Sequence, residues 1–207
     1  MHKTLVIIAF LIILLLITDK KEYFENFNKI KVAVLIITLR GTERYENERK
    51  QWKKYMNKYK NVDCYFIECD GTEGFNTIYS KCKESYVPGI FQKTILSLDK
   101  VGDNYDYYIR TNLSSFFIIQ NLLNKLENIS QDVPYYSGVY CNQSGKTHTS
   151  WVGGFGIILN KKSRKVLLDY GKKDKYFKNK TADDVLIGDV LNDYNIKCTS
   201  IDDHIWY

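Results

Sequence analysis

Apolar and polar residues alternate along the chain in blocks that predict β-strands and α-helices in turn. After its first residue, the run Lys31–Leu39 is apolar and rich in β-branched side chains, which is typical of a strand buried on both faces of a parallel sheet. Further strands are predicted at Val62–Ile67, Tyr105–Arg110, Tyr135–Cys141, Trp151–Leu159 and Ile196–Ile201. Helices are predicted at Thr42–Tyr59 (with Thr42 as N-cap), Gly89–Val101, Ser115–Glu127, Lys162–Tyr170 and Asp183–Tyr194.

This order of elements predicts one α/β domain over residues 30–207, with an open, mainly parallel central sheet and helices on both faces. In such sheets ligands bind beyond the carboxyl ends of the strands, near the point where the strand order reverses. We therefore expect the chemistry in the loops that follow Leu39, Ile67 and Arg110.

The N-terminal segment has a different pattern. Leu5–Ile17 is an unbroken apolar run, which as a helix would reach only about 20 Å, short of the ~30 Å hydrocarbon core. That length fits the core of a cleaved signal peptide, yet no small-residue cleavage site follows it. We favour an uncleaved membrane anchor over residues 1–18, with a short stem over residues 19–29; cleavage is the alternative.

Charge and cysteine usage exclude some classes. The chain carries 30 basic and 24 acidic residues, a net +6, without an arginine-rich arm or zinc-ligand spacing, so we expect no nucleic-acid partner. Its five cysteines are too sparse and irregular to predict a disulfide framework or a zinc site. Cys69 and Cys82 could pair in an oxidising lumen, and the odd count leaves at least one thiol free.

Three short motifs are candidates for chemistry, and each has a structural alternative. Gly153 and Gly154 interrupt a strand pattern, which indicates either a bulge or tight bend, or close approach of a ligand to the backbone. Asp183 and Asp184 begin a helix, where they either complement its dipole behind a Thr181 cap or include a general base. The cluster 202–204 ends in His204 and is either a polar tail or a cation site.

Taken in chain order, these motifs resemble glycosyltransferase family 31, the β-1,3-galactosyltransferase and Fringe-like enzymes. The resemblance covers residues 31–204, and Asp183-Asp184-Val185-x-x-Gly188 is its most specific match. The other matching segments are Arg44-x4-Arg49-x2-Trp52, Glu84-Ser85-Tyr86 followed by Lys93-Thr94, and the glycine-rich Trp151–Asn160.

The resemblance implies a GT-A-type, Rossmann-like fold and inverting transfer of a sugar from a nucleotide sugar, first of all a UDP-sugar, to a hydroxyl of a glycan or glycoprotein. It implies that Asp184 is the general base. The residues expected around the donor are Arg40, Arg44, Arg110, Asn112, Ser114, Gly153, Gly154 and Asp183. It also implies a type II membrane protein facing a secretory, Golgi-like lumen, or a secreted protein if the apolar segment is cleaved.

One departure from the family pattern bears on the cofactor. Where the family has an Asp-Asp-Asp triplet that holds Mn²⁺, this chain has Asn112-Leu113-Ser114, whose neutral oxygens are weak ligands for a hard cation. Two mechanisms therefore stay open, one with Mn²⁺ and His204 as a ligand, and one without metal. A catalytically degenerate protein that binds a nucleotide sugar or glycan is the alternative function. The four Asn-x-Ser/Thr sequons, at Asn112, Asn128, Asn142 and Asn179, permit glycosylation.

Overall fold

A computed structural model describes residues 30–56, 58–69, 71, 74–143, 150–201 and 205. The strands are β1 (Val32–Ile37), β2 (Val62–Cys69), β3 (Thr77–Ser80), β4 (Tyr107–Asn112), β5 (Tyr136–Gly138), β6 (Cys141–Gln143), β7 (Ser150–Val152), β8 (Gly156–Asn160) and β9 (Thr199–Ser200). The helices are α1 (Glu43–Tyr55), α2 (Gly89–Val101), α3 (Ile119–Leu126), α4 (Lys161–Gly171), α5 (Asp174–Phe177) and α6 (Asp183–Asn192).

The central sheet confirms the predicted α/β fold. Its strands follow the order β3-β2-β1-β4-β8-β5-β9, and all neighbouring pairs are parallel except those that β8 makes with β4 and β5. The chain runs outward from β1 to β3 and then returns to the other side of β1 as β4. The strand order therefore reverses between β1 and β4, where Ile37 lies opposite Asn112.

Helices cover both faces of the sheet. Alternate residues of β1 point to opposite faces, so Val34 packs with Trp52 of α1 and with α3, whereas Leu35 packs with Phe91 of α2 and with α4 and α6. Both residues are fully buried, as expected for a strand at the centre of such a sheet. Thr42 caps α1 as predicted, because its hydroxyl accepts a hydrogen bond from the Tyr45 amide.

The glycine-rich segment corrects the sequence prediction. Trp151–Leu159 was expected to be one strand, but it is two: β7 pairs with β6 in a separate two-stranded sheet, and β8 enters the central sheet. A turn at residues 153–155 separates them, where the Gly153 amide donates to the Tyr140 carbonyl and the Gly156 amide donates to the Gly153 carbonyl. The strand therefore ends in a tight bend at these glycines, which is one of the two structures that the sequence predicted there.

Two disulfides connect the loops. Cys69–Cys82 is confirmed, and Cys141–Cys198 adds a second bridge that the irregular cysteine spacing did not predict. Cys64 is the free cysteine, and burial raises the pKa of its thiol to about 12, so it is protonated at neutral pH. None of the helices in the described part of the chain is long and apolar enough to cross a membrane. The anchor and stem predicted over residues 1–29 lie outside the described residues.

Candidate active site

A cleft of about 490 Å³ opens at the carboxyl ends of β1 and β4, where the strand order reverses. Four segments line it: the residues that end β1, the first turns of α1, the segment that leads into α2, and the residues that end β4. The lining residues are Ile37, Thr38, Leu39, Arg44, Tyr45, Glu48, Glu84, Ser85, Tyr86, Ile90, Lys93, Asn112, Leu113 and Ser114. The cleft is large enough for a small-molecule ligand.

An ion pair between a buried lysine and a partly exposed glutamate forms one wall of the cleft. Lys93 is 2% exposed, and its ammonium donates to both Glu84 carboxylate oxygens at 2.7 and 2.9 Å and to the Thr38 carbonyl at 3.0 Å. Glu84 also accepts a hydrogen bond from the Cys69 amide at 2.8 Å. The pair therefore ties the ends of β1 and β2 to α2, and the charge of Lys93 is already neutralised.

The residues of the Arg44-x4-Arg49-x2-Trp52 motif differ in their positions. Arg49 is buried and pairs with Glu68, which also binds Arg40 at 3.0 Å. The Trp52 indole donates to the Leu113 carbonyl at 2.7 Å and so holds the loop that follows β4. Arg44 lines the cleft, is largely exposed and pairs with Glu48 at 3.1 Å.

A second cluster adjoins the cleft at Asn112. Arg110 is 3% exposed and donates to the Asn112 side-chain oxygen at 3.0 Å. Its other terminal nitrogen lies 2.6 Å from a carboxylate oxygen of Asp183 at the start of α6. Burial raises the pKa of Asp183, and the neighbouring Asp184 adds to this effect, while Arg110 opposes it. Arg110 thus connects the cleft to the two aspartates.

Asp184 is held against the glycine turn. One of its carboxylate oxygens accepts a hydrogen bond from the Gly154 amide at 3.2 Å, and the other accepts from the Val185 amide at 2.9 Å. A Cβ atom placed on Gly154 would lie 3.0 Å from an Arg110 nitrogen and 3.5 Å from an Asp184 oxygen. The absence of a side chain at Gly154 therefore lets the turn approach Arg110 and Asp184.

Gly188, which follows Asp184 in the motif Asp183-Asp184-Val185-x-x-Gly188, has a packing role. A Cβ atom on Gly188 would lie 2.7 Å from both the Ser150 carbonyl oxygen and the Cβ of Trp151. Gly188 therefore lets α6 pack directly on β7, and this packing sets the position of Asp184 one turn earlier in the helix. The expected Thr181 cap is wrong, since Ala182 occupies the cap position and the Thr181 hydroxyl binds Asn179.

The structure thus brings most of the expected residues together. Arg44, Asn112 and Ser114 line the cleft. Arg110, Gly154, Asp183 and Asp184 form the adjoining cluster, with Gly153 in the turn beside it. Arg40 lies outside the set of residues that line the cleft and instead pairs with Glu68 and donates to the Tyr79 hydroxyl.

The segment 161–180 is rich in lysine, a side chain that can bind a diphosphate. None of the residues lining the cleft comes from it. Its lysines instead pair with acidic residues at the surface, as in Lys165–Asp169, Lys172–Asp99, Lys175–Asp193 and Lys178–Asp174.

The metal alternative involves residues outside the described part of the chain. Within that part, no group of three or more His, Cys, Asp or Glu side chains could hold a metal ion. Asn112 and Ser114 offer neutral oxygens, and that of Asn112 already accepts from Arg110. His204, with the two aspartates before it, lies outside the described residues.

Sequence reasoning missed the part that Glu84 and Lys93 play in building the cleft. A signal was present, because Lys93 is the one charged residue in the first nine positions of α2, the segment GIFQKTILS. A lone charge on such a segment indicates a buried partner. Glu48 and Tyr45 were also missed, since nothing in the polar face of α1 distinguishes them from its other residues.

Together these observations define an α/β protein with a cleft at the strand-order reversal of a mainly parallel sheet. A comparison with models of known protein families finds no match for this chain.

Proposed function

We propose that this protein is an inverting glycosyltransferase with a GT-A-type domain, which moves a sugar from a nucleotide sugar, first of all a UDP-sugar, to a hydroxyl of a glycan or glycoprotein. One observation carries the proposal. A cleft of about 490 Å³ lies at the strand-order reversal and is lined by Asn112, whose side chain accepts a hydrogen bond from Arg110. Arg110 pairs with Asp183, and the adjacent Asp184 is held by the glycine turn. The same glycines and aspartates carry the resemblance to family 31.

The nucleotide occupies the cleft in this proposal. Its diphosphate lies beside the ends of β1 and β4, where Asn112 and Ser114 offer hydrogen-bond partners. Arg44 is the cation that can turn toward the phosphates, because its exposed pair with Glu48 is weak and easily exchanged. The donor sugar extends past Asn112 toward Gly154, where the missing side chain leaves the backbone accessible.

Asp184 acts as the general base. It takes the proton of the acceptor hydroxyl as that oxygen attacks the anomeric carbon, and the bond from that carbon to the diphosphate oxygen breaks. The leaving nucleoside diphosphate keeps the electron pair, so the anomeric configuration inverts in a single displacement. The Gly154 amide holds the Asp184 carboxylate at 3.2 Å, and Arg110 and Asp183 support the same turn.

A metal ion would act by stabilising the negative charge of the leaving diphosphate, so metal dependence is decided by what else can stabilise that charge. The basic residues that line the cleft in the described part are Arg44 and Lys93, and Glu84 neutralises Lys93. A metal-independent reaction would therefore rely on Arg44, on Asn112 and on backbone amides. A reaction with Mn²⁺ would need ligands from the segment that includes His204. The test therefore measures activity both with and without Mn²⁺.

A secretory, lumenal location is part of the proposal. The two disulfides support it, because disulfides persist in oxidising compartments and are rare in the cytosol.

The test is UDP release by the full-length chain from UDP-galactose, UDP-glucose and UDP-N-acetylglucosamine, with and without Mn²⁺. We expect Asp184→Asn to lower turnover by about 10²- to 10⁴-fold, because it removes the base and keeps the shape. Asp189→Asn is the matched control on the same helix and should retain activity. Full activity in Asp184→Asn would refute the role of Asp184.

The second candidate is a binding protein of the same fold that holds a nucleotide sugar or glycan without turnover. Asn112 and Ser114, in place of the family's acidic residues, favour it. It predicts that UDP-sugars raise the melting temperature of the full-length chain while no UDP is released with or without Mn²⁺. Turnover that is lost in Asp184→Asn would exclude it.

A further inference from the structure

We propose that the outer face of α1 docks on an anionic lipid bilayer and so holds the cleft away from the membrane. The docking surface consists of Lys50, Lys54 and Lys58, together with the hollow beside them that is lined by Tyr55 and Phe116. It lies apart from the aspartates and the glycine turn, so the inference does not depend on sugar transfer.

The three lysines of the docking surface repel one another. Lys50 and Lys54 are one helical turn apart on α1, and Lys58 follows at the same spacing. All three are exposed, and none forms an ion pair with an acidic side chain in the part of the chain that the structure describes. Like charges at this spacing destabilise a helix, so the arrangement indicates an anion supplied from outside the molecule.

The two chain segments that form the surface contain no acidic residue. Neither residues 49–62 nor residues 113–126 include an aspartate or a glutamate. Lysines on the other face of the sheet differ in this respect, because Lys165, Lys172 and Lys178 pair with aspartates at 2.6–2.7 Å. The docking surface is therefore distinguished by its lack of counter-charge and not by lysine content alone.

The hollow combines positive charge with apolar rings. Its volume is about 460 Å³, and its lining residues are Gln51, Lys54, Tyr55, Lys58 and Phe116. The Phe116 ring stacks on Trp52 at 4.7 Å, and the Lys58 ammonium lies 5.5 Å from the centre of the Tyr55 ring. Lysine side chains and aromatic rings are favoured at the boundary between lipid headgroups and acyl chains. The hollow therefore suits a bilayer whose phosphates bind the ammonium groups.

The docking surface lies beside the point where the chain enters the domain. Ile30 packs against the same core cluster as Tyr55 and Phe116, and its carbonyl accepts a hydrogen bond from Asn61 at 2.8 Å. The twelve residues 18–29 separate Ile30 from the apolar run that ends at residue 17, and they can span at most about 40 Å. With the anchor that the sequence predicts there, the docking surface stays within reach of the bilayer.

This tether favours a bilayer over an acidic polypeptide as the occupant. A bilayer that holds the anchor is present at a high effective concentration, whereas a separate polypeptide would have to bind from solution. Several lysines that each attract anionic headgroups weakly are then enough to orient the domain.

Docking at this surface leaves the cleft open. Arg44 and Tyr45, in the first turn of α1, line the cleft, whereas Lys54 and Lys58 lie at the other end of the helix. The 13 residues of α1 extend about 20 Å, so substrate can enter the cleft while the docking surface rests on the bilayer.

The experiment uses the full-length chain in lipid nanodiscs, either of phosphatidylcholine alone or with about one-third phosphatidylserine. A fluorophore on Gln51→Cys reports contact with the bilayer through quenching by nitroxide-labelled headgroups. The label is selective, because Cys64 is buried and the other four cysteines form disulfides. We expect stronger quenching with phosphatidylserine, and loss of this difference at about 1 M salt, where the Debye length is only about 3 Å.

Charge variants in the same labelled background test the lysines. Each lysine near an anionic bilayer favours the docked state by about fivefold, so Lys50→Gln/Lys54→Gln/Lys58→Gln should shift the docking equilibrium by about 10²-fold. Quenching should then fall to the level seen with phosphatidylcholine alone. Arginine at the same three positions should retain docking, because it keeps the charge.

The matched control is Lys165→Gln/Lys172→Gln/Lys178→Gln, which removes the same net charge from the other face of the sheet and should leave quenching unchanged. A fluorophore on Lys165→Cys, on α4, should be quenched little in either disc.

Three results would overturn the docking surface. The first is equal quenching of the Gln51→Cys label in the two kinds of disc, and the second is an equal effect of the two triple glutamine variants. The third is displacement by poly-glutamate at a carboxylate concentration equal to that of phosphatidylserine, which would identify an acidic polypeptide as the occupant. None of these readouts uses UDP release, so failure of the transferase proposal leaves the test of the docking surface intact.

Discussion

At the scale of residues, adjacent aspartates of one motif have different surroundings. Asp183 is 7% exposed and faces the buried guanidinium of Arg110, so it belongs to the supporting structure. Asp184 is less buried and turns toward the backbone of the glycine turn. A residue that reacts must be reached by substrate, and Asp184 meets this condition better than its neighbour.

The raised pKa of Asp183 predicts how stability varies with pH. Because burial raises its pKa in the fold, its ionised form opposes folding above that pKa, and the cost vanishes as pH falls below the unfolded value of about 3.9. Asp183→Asn removes this titration. We therefore expect the melting temperature of Asp183→Asn, relative to the native chain, to be highest near pH 7 and to fall toward pH 4. A difference that grows toward acid pH would contradict the assignment.

Gly154→Ala tests the close approach at the turn. The added methyl would lie 3.0 Å from an Arg110 nitrogen, so the Arg110 side chain must shift by a few tenths of an ångström, whereas its 3.5 Å distance from Asp184 is an ordinary contact. We expect turnover to fall about tenfold or more, since small displacements of catalytic groups are costly. Gly171→Ala, whose methyl would meet Ile95 and Phe91 in the core, is the control for an added methyl away from the site. Equal losses of turnover in both variants would argue against a specific role for Gly154.

At the scale of elements, α2 shows why its bounds were easier to predict than its contacts. Its bounds, Gly89–Val101, were predicted correctly because Pro88 precedes the helix and Gly102 ends it with φ of 78°. The partner of Lys93 could not be predicted, because Glu84 comes near it only when the segment before Pro88 folds back over the end of β2. The residues that begin and end a helix can be recognised in the sequence, whereas contacts such as that between Lys93 and Glu84 depend on the tertiary fold.

Lys93→Met tests this connection between α2 and the ends of β1 and β2. It leaves the Glu84 carboxylate and the Thr38 carbonyl without their ammonium donor. Since Glu84 is about one-third exposed and can recover some hydration, we expect a loss of about 2–3 kcal/mol in the free energy of unfolding, below the full cost of breaking a buried pair.

The control for this prediction is Lys172→Met. It breaks the exposed ion pair between Lys172 and Asp99, and Asp99 lies on α2, the helix that carries Lys93. It should cost less than about 1 kcal/mol. The double variant Glu84→Gln/Lys93→Met should recover part of the loss, because no buried charge is then left unpaired. Denaturant unfolding measures all three variants. Equal losses for Lys93→Met and Lys172→Met would show that burial adds nothing to the first pair.

At the scale of the whole molecule, periodicity predicted the layers of the fold but not every strand direction. The run of β1 is apolar enough to require burial on both faces, which predicted the parallel centre of the sheet. The short strand β8 is apolar in the same way, yet it runs antiparallel, because its direction depends on the turn at Gly153–Phe155.

The two disulfides predict unequal contributions to stability. Cys141 and Cys198 are 57 residues apart, whereas Cys69 and Cys82 are 13 apart, so the first bridge restricts the unfolded chain more. Loop-closure entropy predicts losses of about 4 and about 3 kcal/mol for the respective double alanine variants. Denaturant unfolding of both variants under oxidising conditions measures the difference. A larger loss for Cys69→Ala/Cys82→Ala would show that native-state contacts, and not chain entropy, dominate.

The proposed lumenal location predicts where glycans attach. Asn128 and Asn179 are exposed and lie after α3 and α5, where their side-chain amides donate to the Asn124 and Lys175 carbonyls. Asn112 lines the cleft and accepts from Arg110, so a glycan there would fill the site. When the full-length chain is made in eukaryotic secretory cells, Asn128→Gln and Asn179→Gln should each remove one step of mass released by peptide N-glycosidase, and Asn112→Gln should remove none. A chain without glycans in these cells would contradict a lumenal domain, and the disulfides would then need another explanation.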